Sequence, residues 1–415
     1  MKKRLLAMLG LAAGGIALAQ SAARASAPAA AEVPGWAEFA EAVRTLPERM
    51  LAKLPAGMQA DPQIRQEVAR LALEAIASQS IDAIGGDGDA PRFLPSIGQV
   101  LNVGQPNADT TYRSTWVTPG GTYRITGRRG SLRLAVLAQV VPGKNGRSHL
   151  DLGSLPVDKD GRFSVLVGPE KPAGYDGPFW QLEPGVARLM LRMVSADWGH
   201  EAEPTLAIER VDKPVNAPRA PAATLEGRLR RLPRMVDMMA LMFVDHVEKL
   251  RAEGFTNKLK VFDVPEGALA GQFYYEGAYD LADDEALVID SPVPAKCAYR
   301  SLILTNEIYE TIDWINNHSS LNDAQAASDS DGRLRIVVSA RDPGVRNWLD
   351  TSGHAKGVIQ GRWTGCDSHP IPEVRVVKIK DLKKVLPKDV ARVTPAEREE
   401  ILRARRRAQL ERPLW

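Results

Sequence analysis

The chain has 415 residues, 44% hydrophobic and 25% charged, and its 54 Lys and Arg against 51 Asp and Glu leave a net charge of only +3. This composition excludes a disordered chain, and the near balance of charge removes any overall field that would draw the protein to nucleic acid or anionic lipid. The length suffices for two or three separate cores.

The N-terminus opens with the basic run MKKR, followed by LLAMLGLAAGGIALA, which is too short to favour spanning a bilayer core of about 30 Å. That pattern predicts a secretory signal peptide over residues 1–31, with small-residue cleavage sites at Ala23-Arg24-Ala25 or Ala29-Ala30-Ala31. The mature protein is therefore expected to be periplasmic or secreted, without stable membrane insertion.

Residues 36–56 have helical spacing with Pro47 as an interruption. Asp61-Pro62 then gives an N-cap and first-turn signal for a second helix, with Ile64, Val68, Leu71, Leu73, Ala75 and Ile76 as its apolar face. From residue 112 onward, short runs such as TYRITG, LRLAVLAQVV, FSVLVG, YRSLILT, LRIVVSA and GVIQGRW alternate with Gly, Pro and Asp turns. They predict a mainly β fold of antiparallel sandwich or jelly-roll type, with helices near the N-terminus, in the middle and at the C-terminus. The proline-rich stretch VDKPVNAPRAPAATLEG predicts a linker, dividing the chain into an N-terminal helical and β unit (32–220), a helical connector (221–255) and a C-terminal β-sandwich (256–415). A helix from Pro233 to just before Gly254 is expected to turn Met235, Met238, Met239, Met242 and Phe243 inward. Thr394 to Glu397 form a capping box for the last helix, whose LRARRRAQLER run reads as a solvated face.

Export makes the two cysteines relevant to each other. Cys297 opens one strand-like run and Cys366 closes another, so antiparallel pairing would bring them together, closing a loop worth roughly 4 kcal/mol by chain entropy. Two separate buried thiols fit the same pattern.

Nucleophile elbows, zinc-binding His/Glu or Cys/His spacings, phosphate loops and dinucleotide fingerprints are all absent, so no cofactor and no metal is expected. Polar clusters remain. GQPNADTTYRSTW places Asn107, Asp109 and Tyr112 where a loop enters a strand, suiting an Asx turn or a carboxylate base beside a hydroxyl donor. NNHSSLNDAQ offers Asn317 and Asn322 as neutral hydrogen-bonding groups around His318, which titrates near neutrality. DPGVRNWLDTSGH surrounds Trp348 with Asp342, Asn347 and His354, and Arg341 precedes it.

DPQIRQEVARLALEAIASQSIDAI, PNADTTYRSTWVTPGGTYRITGRRGS, DWGHEAEPTLAIER and HSSLNDAQAASDSDGRLRIVVSARDPGVRNWLDTSGHAKGVIQGRW together resemble bacterial proteins carrying domain of unknown function 1214, often joined to domain of unknown function 1254. The resemblance implies a sandwich or jelly-roll fold, export and homo-oligomerisation. Its P-N-x-D-x-x-Y pattern falls on Pro106, Asn107, Asp109 and Tyr112, and its D-P-G-x-x-N-W-L-D-T pattern on Asp342, Pro343, Gly344 and Asn347 to Thr351. Arg346 stands where many relatives have proline. It carries no catalytic assignment.

Two functions follow. In one, the loops converge on a pocket floored by Trp348, where Asp109, Tyr112, His318 and His354 run acid/base hydrolysis or elimination on a polyhydroxylated or amphipathic small molecule or glycan, held by Asn107, Asn317, Asn322, Arg341, Asp342, Asn347 and Trp348. In the other, a non-catalytic envelope protein uses the same loops to bind a glycan or lipid.

Overall fold

The computed structural model describes residues 32–141, 148–216, 218–262 and 271–413; the signal-peptide stretch 1–31 lies outside them. Three helices come first, α1 (Trp36–Leu51), α2 (Ala56–Ala60) and α3 (Pro62–Gly85). Pro47 does not interrupt α1, because Leu46 and Met50 on either side of it are fully buried and hold the turn in place despite one missing backbone donor. Asp61 caps α3 by accepting from the Gln63 backbone N–H at 2.8 Å. Its buried face is Ile64, Val68, Leu71, Ala72 and Ala75, whereas Leu73 points to solvent at 67% exposure.

Nine strands follow: β1 (Leu94–Pro95), β2 (Thr110–Trp116), β3 (Tyr123–Arg128), β4 (Leu134–Val140), β5 (His149–Asp151), β6 (Arg162–Gly168), β7 (Phe179–Gln181), β8 (Arg188–Val194) and β9 (Thr205–Arg210). They form two sheets, β1-β2-β8-β4-β5 and β7-β6-β3-β9. Tyr123, Ile125, Val165 and Val167 of one sheet meet Leu137, Leu189, Leu191 and Met193 of the other in a shared core. This is the first sandwich.

The chain then enters α4 (Ala222–Leu241) and α5 (His246–Ala252). The helix expected from Pro233 instead starts at Ala222, runs through Pro233 and breaks before His246. Leu232, Val236 and Ala240 are its buried side chains, while Met238 and Met242 are about half exposed; the methionine stripe is offset from the core face. The α4 helix packs against α1 and α3, so the three form one helical layer.

The second sandwich contains β10 (Lys260–Phe262), β11 (Gln272–Asp280), β12 (Glu285–Pro292), β13 (Cys297–Leu304), β14 (Ser320–Asn322), β15 (Arg333–Ser339), β16 (Trp348–Asp350), β17 (Lys356–Cys366) and β18 (Glu373–Lys378). Its sheets are β10-β11-β17-β13-β14 and β16-β15-β12-β18, with Leu302, Leu304 and Ile359 facing Leu287, Ile289, Ile336 and Val338. All strand pairs are antiparallel except β6 with β7 and β15 with β16. The fold is thus mainly β, with helices before, between and after open sandwich-like sheets. Cys297 and Cys366 lie opposite each other on β13 and β17 and are joined by a disulfide.

A short α6 (Leu382–Val385) and the long α7 (Pro395–Leu410) complete the chain. The expected capping box opens α7: the Glu397 backbone N–H donates to Thr394 Oγ1, and the Thr394 N–H to the Glu397 carboxylate. The basic run of α7 is not wholly solvated. Arg398 and Arg405 are buried, seven residues apart, and Arg412 continues the same stripe beyond the helix. No described helix is long and apolar enough to cross a membrane.

Candidate functional site

The decisive property of the second sandwich is that β17 is buried on both faces. Ile359 and Trp363 enter its own core, but Gln360, Arg362 and Thr364 on the opposite face are equally buried. Register extends this polar face to Tyr274 and Glu276 on β11 and to Tyr299 and Ser301 on β13. What covers it is the first sandwich, through Tyr112 on β2 and Met190 and Arg192 on β8.

At one end of this junction lies Asp109, 1% exposed. Its Oδ1 accepts from Trp198 Nε1 and from Asn322 Nδ2, each at 2.8 Å, and its Oδ2 accepts from the Tyr299 hydroxyl. Asn107 Nδ2 donates to Tyr299 Oη at 2.7 Å, and the Asn107 backbone N–H donates to Tyr112 Oη at 3.3 Å. Burial pushes the Asp109 carboxyl pKa up, while the hydrogen bonds from Tyr299, Asn322 and Trp198 and the charge of Arg412 act the other way. The network therefore joins residues from both sandwiches without exposing the carboxylate. Asn107, Asp109, Tyr112 and Asn322 do meet, but as a clamp, because the second sandwich covers the loop that the sequence predicts at a pocket mouth.

The remaining predicted residues lie apart from it. His318 is 3% exposed, stacks parallel to Trp348 at 6.1 Å and bonds through Nδ1 to the Trp348 carbonyl. Trp348 is itself 5% exposed, donates from Nε1 to Ser339 at 3.1 Å and lies under the Arg398 guanidinium at 5.1 Å. It is a core anchor and not a pocket floor. Asn347 donates to the carbonyls of Ala327 and Arg335, Asp342 pairs with Arg398, and Asn317 donates to the Asp313 carbonyl. Arg341 is exposed beside Asp283, and His354 pairs with Glu307 far along the chain from Asp109. At Arg346 the backbone N–H donates to the Ala391 carbonyl at 2.8 Å, a bond that proline could not make.

A cavity of about 310 Å³ opens instead beside the clamp, between Tyr112, Met190 and Arg192 of the first sandwich and Phe262, Tyr274, Gln360 and Arg362 of the second. Met239, Met242 and Phe243, from α4 and the turn after it, close one side. Arg362 is 4% exposed; its Nη2 donates to Gln360 Oε1 at 2.8 Å, and its guanidinium lies 5.2 Å from the Tyr274 ring centre. Among the described residues its Nε has no acceptor, nor has Nε2 of Gln105, whose backbone sits at φ +56°. Gln360 Nε2 donates to Tyr309 Oη at 3.2 Å, Tyr309 donates to Glu276 Oε2 at 3.4 Å, and Glu276 Oε1 lies 2.9 Å from His246 Nε2. A chain of polar groups thus runs from the buried guanidinium to an imidazole.

Residues 278–359 match the family described as Protein of unknown function (DUF1214). That segment contains the His318 and Trp348 anchors and Tyr309, and stops one residue short of Gln360. Over 83% of this chain and 97% of the other, the fold is similar to that of an uncharacterized protein from Burkholderia cenocepacia, with TM-score 0.76 and 28% identity. A protein from Vibrio parahaemolyticus aligns over 75% of this chain and 99% of its own at TM-score 0.43 and 13% identity. No curated protein matches the chain.

Sequence reasoning missed Arg362, Gln360, Tyr274, Tyr309, Glu276, His246 and Gln105 as a group. The available signal was the alternation Gln360, Arg362, Thr364 within a run otherwise rich in apolar residues, which marks a strand face that is neither core nor ordinary surface.

Two outcomes test this assignment of roles. Asp109→Ala strands three buried donors and is expected to cost about 3–5 kcal/mol of stability in urea unfolding; a loss below 1 kcal/mol would show that the clamp is dispensable. Burial first, then the charges of Arg405 and Arg398, hold the His318 pKa well below 6.5. The unfolded chain therefore takes up a proton near pH 6.5 that the native protein refuses, so stability falls as pH drops through 6.5 toward the native pKa, by up to about 1.4 kcal/mol per pH unit. The acid-side slope of urea stability against pH should be shallower in His318→Gln, and an unchanged slope would contradict the burial of a neutral imidazole.

Proposed function

We propose that the protein binds a small amphipathic carboxylate in the cavity between its two sandwiches. The observation that carries this reading is the buried Arg362 guanidinium, whose side-chain hydrogen bond within the described residues goes to Gln360 and whose Nε has no acceptor. Burying a guanidinium with so few acceptors is costly even with the through-space attraction of Asp109, and its N–H donors fit a carboxylate. Gln105, whose buried amide nitrogen has no partner among the described residues, lines the same cavity. The walls Met190, Met239, Met242, Phe243 and Phe262 suit a hydrocarbon body, and methionine adapts to irregular chains. A polyhydroxylated glycan would leave its hydroxyls facing these side chains, so the lipid-like alternative fits better than the sugar.

Turnover of the same ligand is a second reading, favoured by the Tyr309 hydroxyl on the cavity wall, backed by Glu276 and His246. The test is titration calorimetry of the mature protein with a medium-chain fatty acid such as decanoate. Saturable binding to the wild type and at least a tenfold loss in Arg362→Met, about 1.4 kcal/mol, are expected; equal affinity in both would remove the proposal. Mass spectrometry of a decanoate ester after prolonged incubation separates binding from turnover.

Export belongs to the same proposal, supported by the signal pattern over residues 1–31. The protein recovered from a periplasmic extract should begin at Ser26 or Glu32. A chain still starting at Met1 in that extract would argue against cleavage.

A further inference from the structure

The loop 305–311 between β13 and β14 faces two ways. Tyr309, at φ +70°, lines the cavity, while Glu307 and Glu310 turn toward α3. Asn306 organises the loop, its Oδ1 accepting from the backbone N–H groups of Ile308 at 3.1 Å and Glu310 at 2.9 Å. On its α3 side, a carboxylate oxygen of Glu67, one of Glu307 and a ring nitrogen of His354 lie within 4.8 Å of one another.

These three groups come from a helix, a loop and the turn between β16 and β17, so the fold and not local sequence brings them together. Glu67 is 8% exposed; its Oε1 accepts from Gln63 Nε2 at 3.0 Å, but its buried Oε2 has no hydrogen-bond partner among the described residues. A solvent-shielded carboxylate oxygen is costly without a donor or a cation beside it. The neighbouring cation is Arg70, which bonds Glu310 at 3.0 Å and lies 3.7 Å from Glu74. His354 Nδ1 and Glu307 Oε2 are 2.6 Å apart and share one proton.

We propose that Glu67, Glu307 and His354 bind one first-row divalent transition-metal ion. One imidazole and two carboxylates form the donor set that favours Zn²⁺-like ions over Ca²⁺ or Mg²⁺, which prefer all-oxygen shells. Ligand atoms within 4.8 Å of one another need only side-chain adjustments to reach metal–ligand bonds of about 2.0–2.2 Å. The ion takes the place of the hydrogen bond between His354 and Glu307, the imidazole keeping its proton on Nε2. Three protein ligands leave room for water on the ion. Bound there, the metal ties α3 to the loop that carries Tyr309, bracing one wall of the cavity from behind.

The experiment uses tag-free, EDTA-treated mature protein titrated with Zn²⁺. One ion per chain is expected, with an X-ray absorption spectrum showing a single imidazole among oxygen donors. Glu67→Gln and His354→Gln should each weaken binding at least tenfold. Absence of stoichiometric binding to the wild type, a spectrum with more than one imidazole, or wild-type affinity in both variants would overturn the site. Should either variant fail to fold, the wild-type stoichiometry and spectrum decide.

Discussion

Two sandwiches meet here through polar sheet faces, and every group on those faces must find its partner inside the protein. Apolar faces can be packed by shape alone, whereas a buried carboxylate, phenol or guanidinium needs specific donors or acceptors at hydrogen-bond distance. The junction meets that demand unevenly. Around Asp109 both carboxylate oxygens are satisfied, by Trp198, Asn322 and Tyr299 drawn from both sandwiches. Around Arg362 the set is incomplete, and there the junction opens into a cavity. A rigid satisfied node beside an unsatisfied one is an arrangement in which the first fixes the geometry of the second.

The C-terminal helix secures this junction from outside. Arg398, Arg405 and Arg412 recur every seven residues on one stripe of α7 and its extension, and each finds a different partner. Arg398 lies over Trp348, Arg405 over Trp198 at 4.5 Å, and Arg412 donates to the Asp109 carbonyl and pairs with Glu203. Burial lowers the Arg405 pKa to about 10, against the attraction of Asp109, so the guanidinium stays charged at neutral pH. Stacking and carbonyl contacts replace the water these cations lose, as a weakly hydrated guanidinium allows. Trp198, which donates to Asp109 and also lies beneath Arg405, connects the helix to the clamp.

Much of the architecture was legible because it follows local rules. The strand runs such as LRLAVLAQVV and LRIVVSA, the Asp61 and Thr394 caps and the opposed positions of Cys297 and Cys366 follow from alternation, capping chemistry and strand pairing. β11 escaped because Glu276 and Gly277 interrupt its pattern. Glu276 is fully buried, but the imidazole that pairs with it comes from α5, thirty residues earlier in the chain. Asn107 and Asp109 in one polar stretch and Asn322 in another were recognisable, yet periodicity does not reveal what covers a sheet face, and so a buried clamp reads like a pocket rim. The arginines of α7 pose the same problem: a helix rich in basic residues looks solvated until Trp198 and Trp348 are placed beneath it.

The central claim is that Arg362 lacks a partner that a ligand supplies. A crystal structure of the protein grown with decanoate tests it most directly. The account predicts the carboxylate on the Arg362 guanidinium and within reach of Gln105, its hydrocarbon tail along Met190, Met239 and Phe243. Arg362 bonded only to ordered water, with the fatty acid elsewhere or missing, would contradict it.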